Sequence, residues 1–213
     1  MSTHELALAA LYNARDMLGE AEFLLTSNRP ARALSLGVLA AEELTKAVLY
    51  RCIAVGIISE LRLRKDLTSH ELKLFHFTHI TVGTYMVSKI LNDLIAAVKH
   101  DVEIADHSQH IYPNVLLMFS QRVLTEGTEE ARQFTVITLM LKDAHARRLR
   151  SLYVDVKGEM ISEPRTAIDL NEAEQLIRLI TKQYVSIEGL LLSNDGVFKS
   201  GVKYLIPYLL ESG

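Results

Sequence analysis

The 213-residue chain has one cysteine, and its formal charge of -3 gives no large excess of either sign. A lone Cys52 excludes an intramolecular disulfide and a multi-cysteine zinc site, and its apolar surroundings read as a small core residue. The near-neutral charge means that the whole molecule is not drawn to nucleic acid or an anionic membrane, so a polyanion needs a local basic patch. No run of about 18 apolar residues is present, which predicts no membrane span. Met1-Ser2-Thr3-His4-Glu5 lacks the basic-then-apolar pattern of a signal peptide, so a cytoplasmic address is expected. There is no Gly-x-Ser-x-Gly elbow, no Gly-x4-Gly-Lys-Ser phosphate loop, no internal repeat and no low-complexity tract.

What is present is a soluble, globular profile, 49% hydrophobic and 23% charged, long enough for one domain with a substantial core. Helical periodicity runs from Leu6 to Leu25, broken by Ser27-Asn28-Arg29-Pro30. A second helix starts near Pro30, with Asn28 or Ser27 near its cap, and stops at Gly56, so the two form an antiparallel hairpin. The stretch 57–65 is ambiguous, and Thr68 or Ser69 caps a helix carrying His70 and Lys73, with Thr68 to Glu71 as the capping box. Further helices are predicted over 79–99, 114–124 and 129–149, with 100–113 as a polar loop holding three histidines. Residues 152–161 read as a small hairpin turning at Lys157-Gly158, or as an extended arm. Asn171-Glu172-Ala173-Glu174 signals a helix through Leu192, and a last helix is predicted over about 197–210. The expected fold is an all-α bundle with one short β excursion, a single domain over 1–213 with its core in about 5–192.

The second helix carries the unusual chemistry. Steps of three and four give Ala33, Leu36, Ala40, Glu43, Ala47 and Tyr50, an apolar stripe with a carboxylate at its centre. Glu42 and Lys46 are four apart beside it, in the favourable order for a helical ion pair. A carboxylate on a core-facing stripe needs a partner, because burying it bare costs several kcal/mol. The plain alternative is a helix that turns these charges to solvent.

Three blocks in order, Glu42-Glu43-x-x-Lys46, His70-x-x-Lys73 and Arg150-Ser151-Leu152-Tyr153-Val154-Asp155 with Pro164 following, resemble the AbiV group of abortive-infection proteins. Leu39 to Ala47 resembles the second-helix signature of HEPN domains, small all-α bundles common in bacterial defence. The resemblance runs from about Leu8 to Ile187. It implies a homodimer acting in antiphage defence and a metal-independent endoribonuclease with an Arg-x(4–6)-His motif, without cofactor and without action on DNA, which lacks the attacking 2′-hydroxyl. In that chemistry a histidine takes the hydroxyl proton and an arginine stabilises charge on the phosphorane. The resemblance fits equally a non-catalytic protein that stops growth or phage replication by binding a phage or host protein. A Leu-rich helix such as 176–192 can supply an interface.

Arg64-x5-His70 is the one match to the motif, and about one such match is expected by chance. The competing cluster is late: His145, Arg147, Arg148 and Arg150, with His145 and Arg148 on one helix face beside Tyr153 and Asp155. A helix end made basic to suit its dipole explains the same cluster without function. The expected network has Glu43 accepting from Lys46, His70 or a late arginine. Its cleft is lined by His70, Lys73, Glu43, Arg147, Arg148, Arg150 and Tyr153, where RNA binds or is cut. A structural polar cluster that fixes helix register is the alternative. His76-x-x-His79 with Glu42 and Glu43 suggests a metal, but no Glu-x-x-His of the carboxylate-bundle kind occurs, so no metal is expected.

Overall fold

The computed structural model describes residues 2–81, 144–152, 155–157, 160–162 and 168–203. The helices expected over 114–124 and 129–143, the polar stretch 100–113, most of 79–99, Tyr153, Pro164 and residues 204–210 lie outside them.

Helix α1 is Thr3–Thr26. It starts ahead of its first apolar residue, Leu6, because Ser2 builds a capping box. The Ser2 hydroxyl accepts from the Glu5 N–H, and the Glu5 carboxylate accepts from the Ser2 N–H at 2.6 Å. Asn28 takes the left-handed conformation (φ 55°) in the turn, and α2, Pro30–Ala54, follows with proline in its first turn. Arg29 is its N-cap and makes no side-chain cap bond, so neither Ser27 nor Asn28 fills that role. Gly56, at φ +74°, ends the helix where only glycine sits without strain.

The ambiguous stretch after Gly56 resolves into α3, Glu60–Thr68, and residues 70–81 form the described part of α4. Ser69 caps α4 by accepting from the Leu72 N–H, while the Thr68 hydroxyl donates to carbonyls of Arg64 and Lys65 inside α3. The expected Thr68 to Glu71 box is therefore absent, since Thr68 is spent on the preceding helix. Then come α5, Ala144–Leu152, and two strands, β1 (Asp155–Lys157) and β2 (Met160–Ser162). The strands pair antiparallel with Lys157 opposite Met160, which puts Lys157 in the ladder and not in the turn. Helix α6, Leu170–Leu191, is capped by Asp169, whose carboxylate accepts from the N–H groups of Asn171 and Glu172. The cap lies two residues before the Asn171 that the sequence pattern favours. Asn194 caps α7, Asp195–Val202.

The architecture is all-α: helix packs on helix, and α2 is the rod around which α1, α5 and α6 lie. Leu34, Val38, Leu44, Val48, Leu49 and Cys52 of α2 are buried among residues of the other helices, including Leu11, Phe77, Leu176, Ile180 and Phe198. Burial pushes the Cys52 thiol up to about 12, as befits an inert core residue. Gly37 sets the spacing of α2 and α6, for a Cβ there would lie 3.1 Å from Ile177 Cγ1. Among the described residues no helix is long and apolar enough to cross a membrane.

Candidate functional site

A second stripe on α2, one residue away from the one that periodicity singles out, meets α4 and α5. It consists of Ser35, Val38, Glu42, Thr45, Leu49 and Cys52, all buried. Its polar members reach two distant chain segments, Ser35 to α5, Thr45 to α4 and Glu42 to both. Ser35 Oγ lies 2.5 Å from Ser151 Oγ. The Ser151 hydroxyl itself donates to the Arg148 carbonyl at 2.6 Å, so Ser35 is the donor of the pair. Thr45 Oγ1 shares its one hydrogen between the carbonyls of Ala41 in its own helix and Lys73 in α4, each at 3.0 Å. These bonds lock α4 and α5 against α2 and bring their side chains to the middle of the stripe.

Glu42 lies there, 2% exposed. Its Oε2 accepts from His70 Nδ1 at 2.5 Å and lies 3.2 Å from the buried Lys73 Nζ. Its Oε1 has no hydrogen-bond partner among the described residues and sits 3.9 Å from Arg148 Nη1. Three basic side chains thus surround one buried carboxylate. Arg148 is itself buried, and its Nη2 is 3.5 Å from His145 Nδ1 on the preceding turn of α5. The imidazoles of His70 and His145 stack across the junction of α4 and α5, with centroids 5.7 Å apart and planes at 23°. Side chains from three helices, far apart in sequence, thus form one polar cluster: Glu42, His70, Lys73, His145 and Arg148. The His70 side chain is 47% exposed, so the cluster opens to solvent there.

Several expected site residues lie elsewhere. Glu43, expected at the centre of the cluster, is half-buried and pairs with Lys46 of its own helix. Glu42 takes the role foreseen for Glu43, and the Glu42–Lys46 pair is absent, because α2 is turned so that the stripe through Ser35 and Thr45 meets α4. Arg64 is exposed on α3. Arg147 is held by Glu172, a tie between α5 and α6. Arg150 is exposed at the end of α5, with no ion pair to Glu42 among the described residues. Asp155 opens β1, opposite Ser162, and Tyr153 lies outside the described residues. Of the pair raised as metal ligands, His76 is fully buried with Nε2 3.1 Å from Asp66 Oδ2, and His79 Nδ1 bonds the Phe75 carbonyl. Among the described residues no group of three potential ligands is close enough to hold a metal ion.

Sequence reasoning missed Ser35, Thr45 and Ser151. The available signal was that Ser35, Glu42 and Thr45 recur at helical spacing, a polar stripe inside an otherwise apolar helix.

Comparison with curated proteins and with solved structures gave no match. The family model for AbiV, of the HEPN type, matches residues 3–184, a span that includes α1, α2 and every member of the polar cluster. With most of its length matched, this chain belongs to the AbiV family of HEPN-type abortive-infection proteins.

Proposed function

We propose that this protein acts in antiphage defence by cleaving RNA without a metal ion, at the cluster formed by Glu42, His70, Lys73, His145 and Arg148. The observation that carries the reading is the Glu42–His70 pair. A buried carboxylate accepting from Nδ1 fixes the ring and leaves the other nitrogen, Nε2, as a proton acceptor on a side chain that reaches solvent. This is the base–orienter arrangement of acid–base catalysis, here suited to a ribose 2′-hydroxyl. O2′ then bonds to phosphorus, the P–O5′ bond breaks, and the leaving oxygen takes a proton from water, giving a 2′,3′-cyclic phosphate and a 5′-hydroxyl. Arg148, one of the arginines of the late basic cluster, supplies fixed positive charge beside the rings.

The test uses purified protein, total RNA and EDTA. Cleavage is expected to resist the chelator, to fall at least about 100-fold in His70→Ala, and to change by less than about threefold in Arg150→Ala, whose side chain is exposed. Intact RNA with the wild-type protein would remove the enzymatic reading. It would favour a second one, a non-catalytic protein that binds a phage or host partner. Exposed apolar side chains such as Phe23 on α1 and Val185 on α6 speak for that reading. Under either reading we take residues 1–213 as one domain, cytoplasmic and homodimeric. The domain reading is supported by a core cluster that runs from Ala10 to Val202.

A further inference from the structure

The two stacked rings are not equivalent, and the difference follows from what their neighbours can donate. Glu42 Oε2 accepts, so His70 Nδ1 carries hydrogen and its Nε2 is bare. Arginine has no acceptor, so Arg148 Nη2–H donates to His145 Nδ1; that nitrogen is bare and the hydrogen of His145 resides on Nε2. We propose that His70 and His145 are held in opposite neutral tautomers, a proton acceptor stacked on a hydrogen-bond donor, and that His145 donates to a non-bridging oxygen of the scissile phosphodiester without giving up its proton. Arg148 is then a positioning residue that acts through His145.

This inference rests on the RNA-cleaving reading and sharpens it. Arg148 can only donate, so the His145 nitrogen that faces it is the acceptor of that contact and the donor of the ring points away from the guanidinium. Among the described residues the charged groups around the pair are Glu42 from α2, Lys73 from α4 and Arg148 from α5, with Arg147 taken up by Glu172 of α6. A neutral donor stabilises the charge that builds on phosphoryl oxygen, as an oxyanion hole does. Acceptor and donor side by side match a ribonucleotide, which offers a hydroxyl and an anionic phosphate oxygen together. A deoxyribonucleotide offers only the second.

Two measurements on the full chain separate this inference from the reading beneath it. Long-range ¹H–¹⁵N spectra of histidine-labelled protein at neutral pH report each tautomer whether or not RNA is cut, with His70→Gln and His145→Gln assigning the signals. Nε2–H on His145 with Nδ1–H on His70 is expected; Nδ1–H or double protonation on His145 overturns the assignment. Cleavage is expected to fall about 100-fold in His145→Ala and to return to within about tenfold of wild type in His145→Gln, whose side-chain amide keeps a donor. The wild-type rate should climb with pH through one ionisation and then level. A bell-shaped profile, or a His145→Gln protein as inactive as His145→Ala, overturns the donor role while leaving RNA cleavage standing. Absence of cleavage in every sample overturns the cleavage reading and the donor role together, and the spectra then judge the tautomers alone.

Discussion

Glu42 and Lys73 are almost wholly removed from water, and their energetics follow from that. Taking two charges out of solvent costs several kcal/mol per ion, which the pair recovers only while both partners are present. Lys73→Met is therefore expected to lower the unfolding free energy by about 3 kcal/mol, because it removes one partner of a buried pair and leaves the other behind. The double variant Glu42→Leu with Lys73→Met should lose less than Lys73→Met alone, since no unpaired carboxylate then remains. Urea unfolding of the wild type, Glu42→Leu, Lys73→Met and the double variant measures these losses. A double variant that loses the sum of the single losses would show that Glu42 is indifferent to Lys73. Such a cluster costs stability relative to an apolar core, and its retention at a solvent opening fits a site that uses its charges.

At the scale of the helix, the position of α2 decides which of its residues become functional. Gly37 lets α6 approach until a Cβ at position 37 would lie 3.1 Å from Ile177, and Ser35 and Thr45 tie other faces of α2 to α5 and α4. Gly37→Leu is expected to cost about 1–3 kcal/mol by overpacking this contact. Ile177→Ala alone should cost about 2–5 kcal/mol, since a buried isoleucine is truncated. Combined, the two changes should cost less than their sum, because the larger side chain at position 37 enters the space that Ile177 leaves. Thermal and denaturant unfolding of the double-mutant cycle checks this, and strict additivity would mean that the α2–α6 spacing is set by other residues. Elsewhere on the same rod, Arg51 joins the end of α2 to Asp195 at the start of α7 at 2.7 Å and packs over the Phe198 ring. Both ends of the long helix are thus tied to segments distant in sequence.

For the molecule as a whole, one buried group links stability to pH. His76 lies wholly inside the protein, and burial lowers its pKa below the ordinary value of 6.5 against the opposing pull of Asp66. The unfolded chain therefore binds a proton more readily than the folded one. The contribution of His76 is complete above pH 6.5 and is lost as pH falls from there toward its lower folded value. Unfolding free energies measured between pH 7.5 and pH 5 should accordingly decline toward acid, and His76→Gln should flatten that part of the curve. An unchanged slope in the variant would assign the acid sensitivity to other groups.

The helical class, the α1–α2 hairpin and the glycine stop after α2 were legible from the sequence, and so was the candidacy of His70, Lys73, His145 and Arg148 as neighbours of a carboxylate on α2. Periodicity, Pro30, Gly56 and the order of the three blocks are local facts of composition and spacing. The choice between Glu42 and Glu43 was not. Adjacent residues on a helix are about 100° apart, and an α2 buried on most of its circumference gives no single apolar face from which to read its rotation. Nor could the chain announce that Arg148 reaches the cluster while Arg147 goes to Glu172 and Arg150 to solvent, since basic residues at a helix end look alike until neighbours take them up. The sequence by itself determined which side chains are available and which helices carry them. Only the packing of α4 and α5 on α2 decided which one carboxylate is buried, which two imidazoles stack, and which nitrogen on each ring is left to act, because those depend on contacts between segments up to 116 residues apart.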